Sequence, residues 1–209
     1  MKALKTLKVA VISLLLFFTT TASAQNSILN GDNYIIDDRL KIKINEIGNE
    51  LKTKTNVNVH IYIKNSLGLS KDMPMREKFK IIKKQESNLI KTVKKPYAIL
   101  VLSLEDKHSN LLMSKDIEKF LDKDEILDDY VIPLLASKDK NQLYSKASAA
   151  VLNGYGQITD VIAKKHGIEL ESSIGSLGKV TSSIWKVFMY TLVISGLLLY
   201  IYAIMKRRK

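Results

Sequence analysis

The chain has 209 residues, no cysteine and a formal net charge of +12 at pH 7. The absence of cysteine excludes a disulfide-stabilised fold and the zinc sites that are built on pairs of cysteines. Eight of the 33 basic residues lie in the two terminal segments, which leaves 25 basic against 21 acidic residues and a net charge of +4 for the rest. Most of the net positive charge thus belongs to targeting and topology signals. We therefore expect no nucleic-acid partner.

Residues 1–24 have the pattern of a secretory signal peptide. Lys2, Lys5 and Lys8 precede an apolar run over residues 9–18, and Ala22-Ser23-Ala24 provides the small residues of a cleavage site. We predict cleavage before Gln25. The alternative is an uncleaved anchor helix, which the short apolar run disfavours.

Residues 25–166 are predicted to form one extracytoplasmic domain that begins with a helix and a strand. In residues 37–53 the apolar positions recur three and four residues apart, as on one face of a helix, and Asp37 or Asp38 stands at the N-cap position. Residues 57–63 alternate between apolar and polar side chains, which indicates a strand. His60 lies on the more polar face of this strand, so its ring is expected at the surface or partly buried.

The middle of the domain is predicted to be a helix followed by a hairpin. Residues 75–93 form the helix, with five side chains directed inward: Met75, Phe79, Ile82, Leu89 and Val93. Residues 98–104 are apolar without alternation, which predicts a central strand that is buried on both faces. Residues 111–113 return as its antiparallel partner, and residues 57–63 lie on its other side.

The last part of the domain is predicted to be helical. Short helices are expected at residues 116–121 and 125–136, and a long helix at residues 139–165. Six side chains of the long helix are expected to face inward: Leu143, Ala147, Ala150, Val151, Ile158 and Ile162. Strands that alternate with helices predict an α/β fold with a small mixed sheet covered on both faces.

The C-terminal part of the chain predicts a membrane anchor. Residues 167–183 are rich in serine and glycine and are predicted to be a flexible linker. Residues 184–205 are predicted to be a transmembrane helix, because residues 187–205 carry no charge and are long enough to cross a bilayer. The basic tail at residues 206–209 should stay in the cytoplasm by the positive-inside rule. The predicted location is therefore single-pass in the inner (plasma) membrane, with the domain on the periplasmic side.

Three segments carry a resemblance to the TPM domain family: "NYIIDDRLKIKINEIGNELKTKTNVNVHIYIKNSLG", "YAILVLSLEDKHSNLLMS" and "DIEKFLDKDEILDDYVIPLLASKDKNQLYSKASAAVL". The resemblance covers about residues 33–160. It implies a three-layer α/β/α sandwich outside the cytoplasm, often with a signal peptide and a membrane anchor. Members of the family include accessory proteins of membrane complexes and one protein described as an acid phosphatase. This chain departs from the family pattern at Lys95-Pro96, where Asn-Gly is usual, and at Ser114, where glycine is usual.

Four acidic residues are candidates for a metal site. Glu105 and Asp106 follow the central strand, and Asp37 and Asp38 begin the first helix. Ligands of α/β proteins gather beyond the carboxyl ends of the strands, so Asp37 and Asp106 are the predicted metal ligands, and the metal would support phosphoester hydrolysis. The alternative is a helix cap and a polar hairpin turn, which is the commoner use of such residues.

Two other patterns give weaker signals. The acidic residues between positions 116 and 129 suit a calcium site or, more simply, a solvated helix face. The three histidines stand far apart in the sequence and form no zinc motif. No cofactor is therefore predicted, with calcium or another divalent cation as the alternative.

The main hypothesis is an accessory module that binds an envelope membrane protein or complex and helps in its assembly, repair or modulation. The lipid bilayer would be a second partner, through the C-terminal helix. The alternative hypothesis is a metal-assisted phosphatase, and a third is a structural spacer without a specific ligand.

Overall fold

The computed structural model describes residues 26–70, 72–137 and 142–174, together with residues 190, 193 and 194. The predicted signal peptide and basic tail lie outside these residues, as does nearly all of the predicted transmembrane helix. Among the described residues, no helix combines the length and the apolar character that a membrane span requires.

The described chain alternates between helices and strands. The first element is a 3-10 turn at Asn33–Ile35. The elements that follow it are, in order, α1 (Asp38–Thr55), β1 (Asn58–Lys64), α2 (Met75–Thr92), β2 (Tyr97–Ser103) and β3 (His108–Met113). Then come α3 (Lys123–Glu125), a π-helical segment (Ile126–Val131), α4 (Ile132–Ala136) and the long helix α5 (Leu143–Lys165). Residues 116–121 were predicted to be helical, but residues 115–120 form turns and residue 121 has no regular secondary structure.

The sheet has three strands in the order β1-β2-β3. Strand β1 is parallel to β2, with Ile61 opposite Leu100, and β3 is antiparallel to β2, with Leu111 on the other side of Leu100. Every residue of β2 is buried, as the apolar run predicts for a central strand. The prediction of an α/β fold with a small mixed sheet is confirmed.

The outer edge of β1 is covered by the segment that precedes the first turn. Ile28 forms a parallel bridge with Ile61. The backbone N–H of Leu29 donates to the carbonyl of Ile61 at 2.8 Å, and the N–H of Asp32 donates to the carbonyl of Ile63 at 2.8 Å. These bonds satisfy backbone groups of β1 that β2 does not reach.

One face of the sheet carries the main core, which includes the apolar side chains of α1 and α5. The predicted inward residues of α1 are buried, and so are most of those of α5. Near its middle, α5 packs on the sheet through a glycine: a Cβ at Gly154 would lie 2.5 Å from Cγ2 of Val131 and 3.2 Å from Cδ2 of Leu100. The helix can pack this closely only because residue 154 has no side chain.

The other face of the sheet is covered by α2, but more thinly. Ile82, Leu89 and Val93 are partly buried against strand residues such as Ile99 and Val101. No residue of α2 is fully buried. The prediction that Met75 and Phe79 face inward is wrong, since they are 64% and 62% exposed. Leu143, the first residue of α5, is also exposed rather than inward.

The domain continues beyond residue 166, where a flexible linker was predicted to begin. Leu170 is buried, and the carboxylate of Glu50 accepts hydrogen bonds from the backbone N–H groups of Glu171 and Ser172, each at 2.8 Å. The hydroxyl of Ser173 donates to Asp160 at 2.6 Å. Residues 168–174 therefore belong to the folded domain, and the remainder of the predicted linker lies outside the described residues.

Candidate functional site

The carboxylate of Asp106 connects three segments at the carboxyl ends of β1 and β2. Its Oδ2 atom accepts from the backbone N–H of Leu67 and from the hydroxyl of Ser103, each at 2.6 Å. The hydroxyl of Ser66 lies 3.4 Å from the same oxygen. Charge-assisted bonds of this length are among the stronger contacts of a protein surface, so Asp106 holds the loop after β1 against the β2–β3 turn.

Asn65 forms a second connection beside Asp106. Its side-chain amide donates to Oε1 of Glu105 at 2.6 Å, and its backbone N–H donates to Oδ2 of Asp32 at 2.8 Å. Asp32 also lies 3.8 Å from the ammonium of Lys64. Asp32 is not among the predicted site residues, because it precedes the first helix and lies next to the strand ends only through the segment that covers the edge of β1.

Asp37 and Asp38 have separate roles at the start of α1. Asp37 is the N-cap, and its Oδ1 accepts from the backbone N–H of Arg39 at 2.8 Å. Asp38 pairs with Lys41 at 2.7 Å, which lowers the pKa of the Asp38 carboxyl. Within the described parts of the chain, no group of three histidine, aspartate or glutamate side chains is placed to hold a metal ion. The metal site at Asp37 and Asp106 stays a prediction.

An apolar cleft lies next to the β2–β3 turn. Its volume is about 520 Å³. Its wall is formed by the end of β2 with the turn that follows, and by α4 and the start of α5. The lining residues are Leu102, Ser103, Leu104, Glu105, Lys107, His108, Ser109, Ile132, Leu135, Ala136 and Leu143. Ile132 and Leu143 remain 39% and 47% exposed there. Large apolar side chains that remain exposed around a concave surface are typical of a binding site.

His108 connects this cleft to the opposite face of the sheet. Its Nε2 lies 3.0 Å from Oε1 of Glu86 in α2, and the side-chain amide of Asn110 donates to the same oxygen at 2.6 Å. Burial by itself would raise the pKa of Glu86, but the hydrogen bonds from His108 and Asn110 outweigh it and lower that pKa. A carboxylate thus fixes the position of a residue in the cleft wall.

The cleft was not predicted from the sequence. It joins residues 102–109 to residues 132–143, and no local pattern marks that contact. The signal that pointed towards it was Leu143, whose apolar side chain was assigned to the core.

The fold is similar to a solved structure. A solution NMR structure of the N-terminal domain of a protein from P. gingivalis matches with a TM-score of 0.52 and 14% sequence identity. The match covers 71% of this chain and 89% of that one. No family model matches the sequence, and no curated protein matches it. At this identity the likeness shows a shared fold alone.

Proposed function

We propose that this chain is a membrane-anchored extracytoplasmic module that binds another membrane protein or an envelope complex through its apolar cleft. The exposed side chains of Ile132 and Leu143 carry the proposal, since they stand beside the buried Leu102 at a concave surface. An apolar side chain of a partner would remove them from water. Lys107 lies in the same wall and supplies a charged group that would orient the partner.

The cellular location in this proposal comes from the sequence. The signal peptide at residues 1–24 would export the domain to the periplasm. A single helix at residues 184–205 would anchor it in the inner (plasma) membrane, with residues 206–209 in the cytoplasm. The TPM resemblance adds the finer fold, a three-layer α/β/α sandwich, and the role of an accessory protein in assembly, repair or modulation of a complex.

The hydrogen bonds at the strand ends give the two carboxylates of the phosphatase hypothesis structural roles that require no metal. Asp106 accepts from Leu67 and Ser103, and Asp37 caps a helix. Both carboxylates that the phosphatase hypothesis needs thus have a structural partner.

Site-specific crosslinking of the full chain in its native membrane tests the proposal. A photo-reactive phenylalanine at position 132 or 143 should give the same discrete crosslinked protein. The matched control is position 42, where the natural isoleucine is 70% exposed on α1 and lies outside the cleft. The substitution Ile132→Asp, with the photo-reactive residue at position 143, should remove the product. Products that are absent, or that are identical at positions 42 and 132, would refute the assignment of the cleft.

A further inference from the structure

Helix α2 and the turn that follows it carry a larger net positive charge than the whole chain between the terminal segments. Residues 75–95 contain eight basic and two acidic residues, a net charge of +6. The basic residues are Arg76, Lys78, Lys80, Lys83, Lys84, Lys91, Lys94 and Lys95. Because the chain between the terminal segments has a net charge of only +4, the rest of it is slightly acidic. The positive field of the domain is therefore concentrated on this one helix.

The basic residues of α2 form a stripe on the side that faces away from the sheet. Arg76, Lys80, Lys83 and Lys91 are all exposed, and with Ser87 they follow one another at spacings of four, three, four and four residues. Such spacings place side chains on one face of a helix. Glu86, in contrast, points to His108 on the sheet, so its negative charge does not lie within the stripe.

No ion-pair partner for the stripe is found among the described residues. The described residues contain ion pairs at α1, at the strand ends and in the turns before α3, but none that includes Arg76, Lys80, Lys83 or Lys91. These four positive charges are available to an external anion.

Two large apolar side chains stand at the beginning of the same helix. Met75 and Phe79 are one turn apart, and each is more than three-fifths exposed. They continue the side of α2 that packs on the sheet, but the packing begins only at Ile82, so both side chains reach solvent beside Arg76 and Lys80 rather than within the stripe. A helix with a lysine-rich face and exposed phenylalanine and methionine matches the chemistry of helices that lie on membranes.

We propose that α2 binds the surface of an anionic phospholipid bilayer. Arg76, Lys80, Lys83 and Lys91 contact the phosphates of the headgroups, while Met75 and Phe79 enter the boundary between headgroups and acyl chains. An acidic protein would satisfy the charges but gives no reason for the two exposed apolar side chains in the first turns of the same helix. This inference does not depend on the cleft, and it adds a contact between the folded domain itself and the lipid.

Fluorescence of the full chain in lipid vesicles tests the inference. Since the natural chain has no cysteine, Met75→Cys provides a single site for an environment-sensitive dye, and Ile42→Cys on α1 provides the matched control. In vesicles with about 30% phosphatidylglycerol, the dye at position 75 should shift to shorter wavelength and be quenched by spin-labelled lipid. It should do neither in neutral phosphatidylcholine, and the dye at position 42 should not respond in either.

Charge reversal tests the role of the stripe. Lys80→Glu combined with Lys83→Glu should abolish the spectral shift, and salt at about 0.5 M should weaken it. The matched control is Lys115→Glu combined with Lys119→Glu, which reverses two exposed lysines elsewhere and should leave the shift intact. Circular dichroism checks that each variant is folded. Equal spectra in neutral and anionic vesicles would overturn the proposal, as would a shift that survives reversal of Lys80 and Lys83. A response to an acidic polypeptide but not to vesicles would also overturn it.

Discussion

The buried ring of His60 should make the domain lose stability below neutral pH. His60 lies in β1 and is only 4% exposed. Burial disfavours the charged ring and lowers its pKa from 6.5 to about 4, although hydrogen bonds with the backbone of Asn26 and Ser27 act in the opposite direction. The unfolded chain therefore binds a proton at a pH where the folded chain does not. The stability that the neutral ring of His60 allows is fully present above pH 6.5 and is lost as the pH falls towards 4.

The size of this effect follows from the difference between the two pKa values. At about pH 5, this difference lowers the free energy of unfolding by roughly 2 kcal/mol for one histidine. The measurement is urea-induced unfolding of the full chain in mild detergent, followed by circular dichroism at about pH 7 and about pH 5. The variant His60→Gln, which cannot titrate, should lose this pH dependence. His166→Gln removes an exposed histidine and should retain it. If His60→Gln and the natural chain lose equal stability between the two pH values, the reasoning is refuted.

Three further predictions concern stability. Asp106→Ala should lower the free energy of unfolding by about 2–4 kcal/mol, because two charge-assisted bonds are lost. Asp37→Ala, which removes only a cap, should cost about 1 kcal/mol, and equal costs in urea unfolding would contradict this ranking. Burial alone would raise the pKa of Glu50, but hydrogen bonds from Lys54, Ser172 and Glu171 lower it to about 2. The stability contributed by the ionised Glu50 should thus be lost as the pH falls from 4.5 to about 2. Glu50→Gln should speed amide exchange in residues 171–173 at neutral pH. Unchanged exchange would count against the role of Glu50 in holding these residues. Gly154→Ala should destabilise the fold by about 1–2 kcal/mol in spite of the better helix propensity of alanine, and a gain in stability would show that the neighbouring helix can move away.

The sequence predicts the sheet well because its strands obey two simple rules. A strand buried on both faces is apolar throughout, as at residues 98–104, and its neighbours follow from the order of the elements along the chain. The N-cap was predicted at Asp37 or Asp38 and is Asp37, since capping depends on residues that are adjacent in sequence.

The errors arise where tertiary distance matters. Helical periodicity shows which face of α2 is apolar, but not how far the sheet extends beneath it, so Met75 and Phe79 were assigned to a core that does not reach them. The serine-rich composition after residue 166 is typical of a linker, yet Glu50, more than a hundred residues away in the sequence, binds that segment. The cleft is a contact of the same long-range kind, and for this reason no motif revealed it.

The residues that cover the edge of β1 also protect the domain from its own copies. If residues 26–32 were removed, the N–H of Ile61 and the carbonyls of Ile61 and Ile63 would lose their partners and face solvent. A bare parallel edge of this kind pairs readily with an extended chain of another molecule, including a second copy of the same protein. A short stretch that belongs to no named strand thus closes an edge through which copies of the domain would otherwise associate.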